Sequence, residues 1–310
     1  MSIATPPALA PPVSGERIEL ASAIGAMSLY AARTPSTSAA RPLLLIHSVN
    51  AAASAYEVKP LYDHYRASRP VYALDLPGFG TSARDDRIYS ARLMTDAVQA
   101  AATAIRSRHS QTPIDALALS LSSEFLARAA SEQPAAFHTL ALISPSGFNR
   151  GAPFLGPSGS HRGMPWLHWL FSVPPWRQGF YNVLTSERSM RFFLAKTWGS
   201  KAIDEGLLQY DRQVAAQPGA RHAPYSFVSG FLFSADVTRV YESLSMPVWM
   251  AHGDRGDFVD YRDEQRYRAR PNWRFQQFST GALPHFERLE EFVSAYDRFL
   301  EEAGAGAPDH

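Results

Sequence analysis

Ile114-Asp115-Ala116-Leu117-Ala118-Leu119-Ser120-Leu121-Ser122-Ser123-Glu124-Phe125-Leu126-Ala127-Arg128 is the stretch that decides the reading of this chain. Its first six residues are an apolar run of strand length. From Ser122 onward the pattern is helical. A strand that stops at a serine and becomes a helix at once must turn sharply there. Such a turn strains the serine backbone and pushes its side chain out of the sheet. It also aims the helix's free N–H groups at whatever that serine attacks. Strand and helix pack closely at such a turn, so small residues are needed two positions either side. Ala118 and Ser122 stand there, in place of the glycines of the motif G-x-S-x-G. Taken alone, the pentapeptide is equally readable as an apolar strand followed by a serine helix cap.

A serine hydroxyl is a poor nucleophile near neutral pH and needs an adjacent base, which in turn needs an orienting carboxylate. Near the C-terminus, Gly281-Ala282-Leu283-Pro284-His285-Phe286-Glu287 separates a strand-like segment at 273–278 from an amphipathic helix at 286–302. A histidine in such a loop stands where a base can lean over a sheet edge, although His285 also reads as one capping or surface histidine among ten. Upstream, the apolar run Met246-Pro247-Val248-Trp249-Met250-Ala251-His252 leads into Gly253-Asp254-Arg255-Gly256-Asp257-Phe258-Val259-Asp260. Three carboxylates therefore follow a strand end, in a composition that also suits a plain turn.

Ser120, an aspartate after a later strand and His285 follow one another in the order Ser…Asp…His. In this the chain resembles the α/β-hydrolase superfamily, in its cap-bearing branch, from about Arg17 to Leu300. Two further segments carry the resemblance. Leu43-Leu44-Leu45-Ile46-His47-Ser48-Val49-Asn50 is similar to the family's strand and oxyanion loop. Asp75-Leu76-Pro77-Gly78-Phe79-Gly80-Thr81-Ser82 is similar to its D-x-P-G-x-G-x-S turn. The resemblance implies a catalytic triad of Ser120, Asp257 and His285, with the N–H groups of Val49 and Leu121 as the oxyanion hole. It implies loop-fixing roles for His47 and Asp75. Two departures stand out. Ser48 replaces the glycine of the usual His-Gly-X. The usual Gly-x-x-Asp spacing lands on Gly256, so the acid is expected one residue later at Asp257, with Asp254 as the alternative and Asp260 capping the next helix.

Composition removes other classes. The chain has 310 residues, 45% of them hydrophobic and 12% aromatic, which supports a substantial core. A net charge of +1 without long charged blocks argues against a nucleic-acid partner. The absence of cysteine removes disulfides, thiolate metal sites and a cysteine nucleophile. No cofactor or metal is called for. Residues 1–15 lack the charged region and apolar core of a secretory signal and read as a flexible leader, as 303–310 read as a flexible tail. No apolar run approaches the length of a membrane span, and a cytoplasmic enzyme is expected.

Strands are expected near 17–22, 26–32, 42–47, 70–75, 114–119, 138–144, 247–252 and 273–278. Helices are expected near 55–66, 90–108, 122–132, 260–268 and 286–302. The alternation predicts a mostly parallel eight-stranded sheet with helices on both faces, the first two strands forming an antiparallel edge. The core is expected over 16–145 and 243–302. Between 146 and 242 the alternation gives way to an aromatic-rich helical segment, expected to be an inserted cap whose rings partly line an apolar pocket. Pro165, Pro174 and Pro175 break any amphipathic helix in that segment and argue against membrane contact. The expected function is serine hydrolysis, through an acyl-enzyme, of an ester-like bond (carboxylester, thioester, lactone or C–C diketone) in a small hydrophobic acyl or aromatic substrate. The activity should fall below about pH 6–7 as the base takes a proton. The alternative is a non-hydrolytic use of the same pocket by an acyltransferase, a lyase or cyclase, or a ligand-binding module.

Overall fold

Period-two alternation of apolar side chains builds the centre of the molecule. In β3 (Leu43–Ile46) Leu43 and Leu45 face one side of the sheet while Leu44 and Ile46 face the other, and all four are fully buried. The same alternation runs through β5 (Ile114–Leu119) and β7 (Val248–Gly253). Strands covered on both faces explain the continuous apolar runs of the sequence. The computed structural model describes residues 8–22, 24–32, 40–149 and 151–305. Its remaining strands are β1 (Glu16–Leu20), β2 (Met27–Ala31), β4 (Val71–Asp75), β6 (Phe137–Ile143) and β8 (Trp273–Phe278). The eight strands form one sheet in the order β1-β2-β4-β3-β5-β6-β7-β8, antiparallel at β1-β2 and β2-β4 and parallel elsewhere.

One face is covered by α2 (Ala91–Arg108), α3 (Ser122–Glu132) and α9 (Val237–Glu242), the other by α1 (Lys59–Tyr65) and α11 (Leu289–Ala305). Asp115, a charge inside the central strand, is buried with its partners: Arg69 forms an ion pair with it, and Thr139 Oγ1 donates to its Oδ1 at 2.7 Å. That pairing makes a buried carboxylate tolerable there.

Between β6 and α9 stand α4 (Pro165–Ser172), α5 (Arg177–Leu184), α6 (Glu187–Trp198), α7 (Glu205–Ala215) and α8 (His222–Val228). Local chemistry sets their ends. Ser186 and Asp204 accept from backbone N–H groups at the starts of α6 and α7, and α6 ends on Gly199 at φ +58°. Within the segment expected as a cap, 146–242, α9 packs against α3 with Val237 and Tyr241 in the hydrophobic core.

Three local expectations change. The helix expected at 55–66 is a 3₁₀ turn, Ala55–Val58, followed by α1. Only a 3₁₀ turn, Arg262–Arg266, occupies 260–268, where Tyr261, Glu264 and Tyr267 are buried at a spacing of three, the 3₁₀ repeat. The last helix begins early, as the short α10 (Pro284–Glu287), and breaks before α11. The described part of the expected leader, residues 8–15, does not hang free: Val13 is buried, and the hydroxyls of Tyr62 and Tyr210 donate to the carbonyls of Ser14 and Ala10. Residues 1–7 of that leader and 306–310 of the expected tail lie outside the described residues, and 303–305 complete α11.

Candidate active site

β5 ends at Leu119 and α3 starts at Ser122, so the chain reverses from strand to helix within two residues. Ser120 takes φ +52°, a left-handed conformation that costs a non-glycine residue about 1–2 kcal/mol. The turn is held from both sides. Ser120 N–H donates to the Ile143 carbonyl of β6 at 2.8 Å, and the Ser120 carbonyl accepts from Ser123 N–H at 3.1 Å. Ser123 Oγ bonds back to the Ala118 carbonyl at 3.3 Å, which seats α3 tightly on its own strand and explains why small residues stand at 118 and 122.

The loop after β3 runs alongside. His47 is fully buried. Its Nε2 accepts from Leu76 N–H at 3.0 Å, which leaves Nδ1 as the donor to the Ser48 carbonyl at 2.6 Å. Asp75 is fully buried and accepts from Ala55 N–H, Thr81 N–H and Tyr30 Oη at 2.8–2.9 Å. A Cβ at Gly80 would collide with that carboxylate, and Gly80 sits at φ +49°. Both residues brace the loops, as expected of them.

The sequence reading missed Glu57. Its buried carboxylate accepts from Ser48 N–H at 2.7 Å and Asn50 Nδ2 at 2.6 Å, so it pins the loop at the position where Ser48 replaces glycine. The N–H groups of Val49 and Leu121 donate to no described protein group. A second missed residue is Glu124, in the first turn of α3. It is buried, accepts from Ser146 Oγ at 2.6 Å and Ser234 N–H at 2.8 Å, and has its carboxyl raised by burial. It ties Ser146 and Ser234, at either end of the segment that holds α4 to α8, to the helix that follows Ser120. The only sequence signal for either was a glutamate inside an otherwise apolar or small-residue element.

No hydrogen bond links Ser120 to His285, or His285 to Asp257. His285 is fully buried in α10, beside Phe286 and Phe292 in the layer under α11. Its Nε2 bonds the Glu57 carbonyl at 2.8 Å, so Nε2 carries the proton, and Nδ1 has no partner. In a Ser–His–Asp relay the roles are reversed: Nε2 accepts from serine and Nδ1 donates to the acid. Burial pushes this imidazole down to about 4, the Glu57 bond only partly offsetting it. Asp257 lies on the surface and forms an ion pair with Lys196 at 2.5 Å. Asp254, the alternative, is also exposed and accepts from Ser279 Oγ at 3.3 Å. Asp260 pairs with Arg262.

The C-terminal end of α6 is seated on both loops. Asp257 N–H donates to the Lys196 carbonyl at 3.3 Å, and Ala282 N–H donates to the Thr197 carbonyl at 2.8 Å. A Cβ at Gly256 would run into the Lys196 carbonyl, and one at Gly281 into the backbone of Thr197 and Trp198. The position on which Gly-x-x-Asp spacing falls therefore has no room for an aspartate while α6 stays in place. Among the described residues no group of three or more metal-ligating side chains forms a metal site.

Residues 43–295 match the family described as the alpha/beta hydrolase family. The chain belongs to the alpha/beta hydrolase family. Solved structures similar to this alpha/beta hydrolase include a bacterial membrane phospholipase A described as a virulence factor, with 19% identity, a TM-score of 0.70, and coverage of 94% of this chain and 87% of that one. A thermophilic esterase from Thermogutta terrifontis has 16% identity and a TM-score of 0.67, over 93% and 99% of the two chains. A meta-cleavage product hydrolase from Pseudomonas fluorescens has 15% identity and a TM-score of 0.66, over 92% and 98%. At these identities the likeness is one of fold. No curated protein matches the sequence of this alpha/beta hydrolase.

Proposed function

We propose that this chain is a serine hydrolase that cleaves an ester-like or C–C bond of a small hydrophobic molecule. Ser120 Oγ attacks the carbonyl carbon, and the N–H groups of Val49 and Leu121 receive the oxyanion. Collapse of the adduct breaks the ester-like or C–C bond and expels the leaving group, which takes the serine's proton from the base, and water then hydrolyses the acyl-enzyme to the acid and free Ser120. The observation that supports this most is the φ of +52° at Ser120, a strained backbone at the strand-to-helix junction. The esterase and meta-cleavage product hydrolase among its structural neighbours agree with it. In this reading His285 is the base and Asp257 its orienting acid. Both must then leave their present partners, Glu57 and Lys196.

One observation favours a second reading, a non-hydrolytic use of the same pocket. The proton of His285 is committed to the Glu57 carbonyl, and its other nitrogen meets no acid. Without a relay, the oxyanion hole and substrate binding together supply only about 10³–10⁴ over water.

Labelling with a fluorophosphonate, together with turnover of p-nitrophenyl esters by Ser120→Ala and His285→Ala, separates the two. A hydrolase should label at Ser120 and lose at least about 10³ in kcat in both variants. Turnover in the native protein no higher than in Ser120→Ala, and indifferent to His285→Ala, would reject hydrolysis in favour of the second reading.

A further inference from the structure

The cap carries an apolar surface that neither reading uses. No residue of α4 is buried. Trp166 and Trp169, three apart on that helix, are 64% and 68% exposed, and Trp176 is 47% exposed. Trp176 Nε1 donates to the Leu170 carbonyl at 2.9 Å, which holds its ring beside the end of α4. Phe171 stacks on Phe180 of α5 at 4.8 Å, so the surface continues across Phe180 to Val183, itself 69% exposed. Soluble proteins seldom leave so many large apolar side chains together in water. The prolines expected to break this helix do not. Pro165 opens α4 at its first turn, and Pro174 and Pro175 follow its end at Ser172.

The charge around this surface selects its partner. Residues 151–203 contain Arg162, Arg177, Arg188, Arg191, Lys196 and Lys201 against the single acid Glu187, a net +5 within a chain of net +1. The rest of the molecule is therefore net −4. Arg177, Arg188 and Lys201 have no carboxylate partner among the described residues, in contrast to Arg191 and Lys196. Along α6, Arg188, Phe192 and Lys196 follow at intervals of four, with Lys196 Nζ 5.2 Å from the centre of the half-exposed Phe192 ring. Exposed tryptophans in one segment with unpaired cations suit a boundary that is apolar below and anionic above.

We propose that the α4–α6 face of the cap docks on an anionic phospholipid bilayer. Trp166, Trp169 and Trp176 enter at headgroup depth, and Arg177, Arg188 and Lys201 lie against the lipid phosphates. The membrane is touched and not crossed, since no described helix is long and apolar enough to span one.

The test is flotation of the full chain with vesicles of phosphatidylcholine alone and of phosphatidylcholine with phosphatidylglycerol. Light scattering in solution is run alongside, and circular dichroism confirms that each variant is folded. Binding should require the anionic lipid and weaken as salt is raised. It should fall at least about 10-fold in Trp166→Ala/Trp169→Ala/Trp176→Ala. A separate Arg188→Glu/Lys201→Glu variant should weaken binding to anionic vesicles by a comparable factor. Absence of binding, binding without preference for anionic lipid, or binding that survives both sets of substitutions would overturn the proposal. So would a dimer dissociated by the tryptophan substitutions in a protein that ignores vesicles, since the occupant would then be a second copy of the chain.

Discussion

Ser120 holds a backbone conformation that serine pays for and glycine would not. Ser120→Gly should therefore raise stability to urea by about 1 kcal/mol while abolishing fluorophosphonate labelling, whereas Ser120→Ala should lose labelling without the gain. A stability unchanged or reduced in Ser120→Gly would mean that the turn is not strained. His285 makes a second prediction, through pH. Its neutral form is held by burial, with the folded value near 4 against about 6.5 for a free imidazole. As pH falls from 6.5 toward 4 the unfolded chain takes up a proton that the folded chain refuses, so stability declines across that window, by on the order of 3 kcal/mol. Thermal melts of His285→Gln should lack this part of the decline. For the same reason any ester hydrolysis that uses His285 in its present place should persist down to near pH 4, not fall at 6–7. An acid limb at 6–7 would report an imidazole that has left its buried position. Asp211 on α7 is the opposite case. It is buried, its Oδ1 has no hydrogen-bond partner, and burial followed by the nearby charge of Glu57 raises its carboxyl well above the usual range. The folded state then keeps a proton that the unfolded state loses, so its cost appears as pH rises above about 4. Asp211→Asn should stabilise the protein at pH 8, by roughly 1–3 kcal/mol, and hardly at all at pH 4. Equal effects at both pH values would show that charge is not the cause.

At the scale of elements, the strands β2 to β7 were legible because each is a short, largely apolar run, buried on both faces and bounded by Gly, Pro, Asp or Ser, whereas the edge strands β1 and β8 mix charged or polar residues with apolar ones. The 3₁₀ turn at Arg262–Arg266 was not, because Tyr261, Glu264 and Tyr267 recur every three residues, a spacing also compatible with a helical face. The serine turn was legible for a local reason: strand, serine and helix are contiguous. The directions of His285 and Asp257 were not, because distant groups decide them. His285 is oriented by the Glu57 carbonyl, 228 residues away, and Asp257 by Lys196 on α6. Sequence order can place a histidine after β8, but not choose the face toward which its ring turns. The α6 contact gives a prediction at this scale. Gly256→Asp, which restores the family's spacing, should lower stability by about 1–3 kcal/mol and leave ester turnover unimproved, because the new side chain meets the Lys196 carbonyl and Gly256 holds φ +91°. A stable variant with faster turnover would show that α6 yields easily.

Across the whole molecule, the segment between β6 and β7 is tied to the rest of the chain by two sets of bonds. Arg128 and Asp236 form a buried ion pair, Glu124 takes Ser234 N–H, and Tyr89 N–H donates to Ser226 Oγ at 3.0 Å. On the other side stand the bonds from Asp257 and Ala282 to the end of α6. Between these anchors, α4 and α5 share few buried residues with anything: only Tyr181 in α5 is buried and none in α4. Amide exchange should accordingly be fastest in 165–184 and slow at Ala282 and Ser234. Uniform protection across the cap would contradict this division. The glycine contact of α6 with the β7 and β8 loops has one more consequence. Where backbone touches backbone through absent side chains, the fit can be lost by adding almost any atom but improved by none. Gly199, Gly256 and Gly281 thus form a keyway: a side chain at any one of them meets the backbone of the facing segment, so each of the three positions is closed to a drifting sequence for as long as the other two segments stay seated.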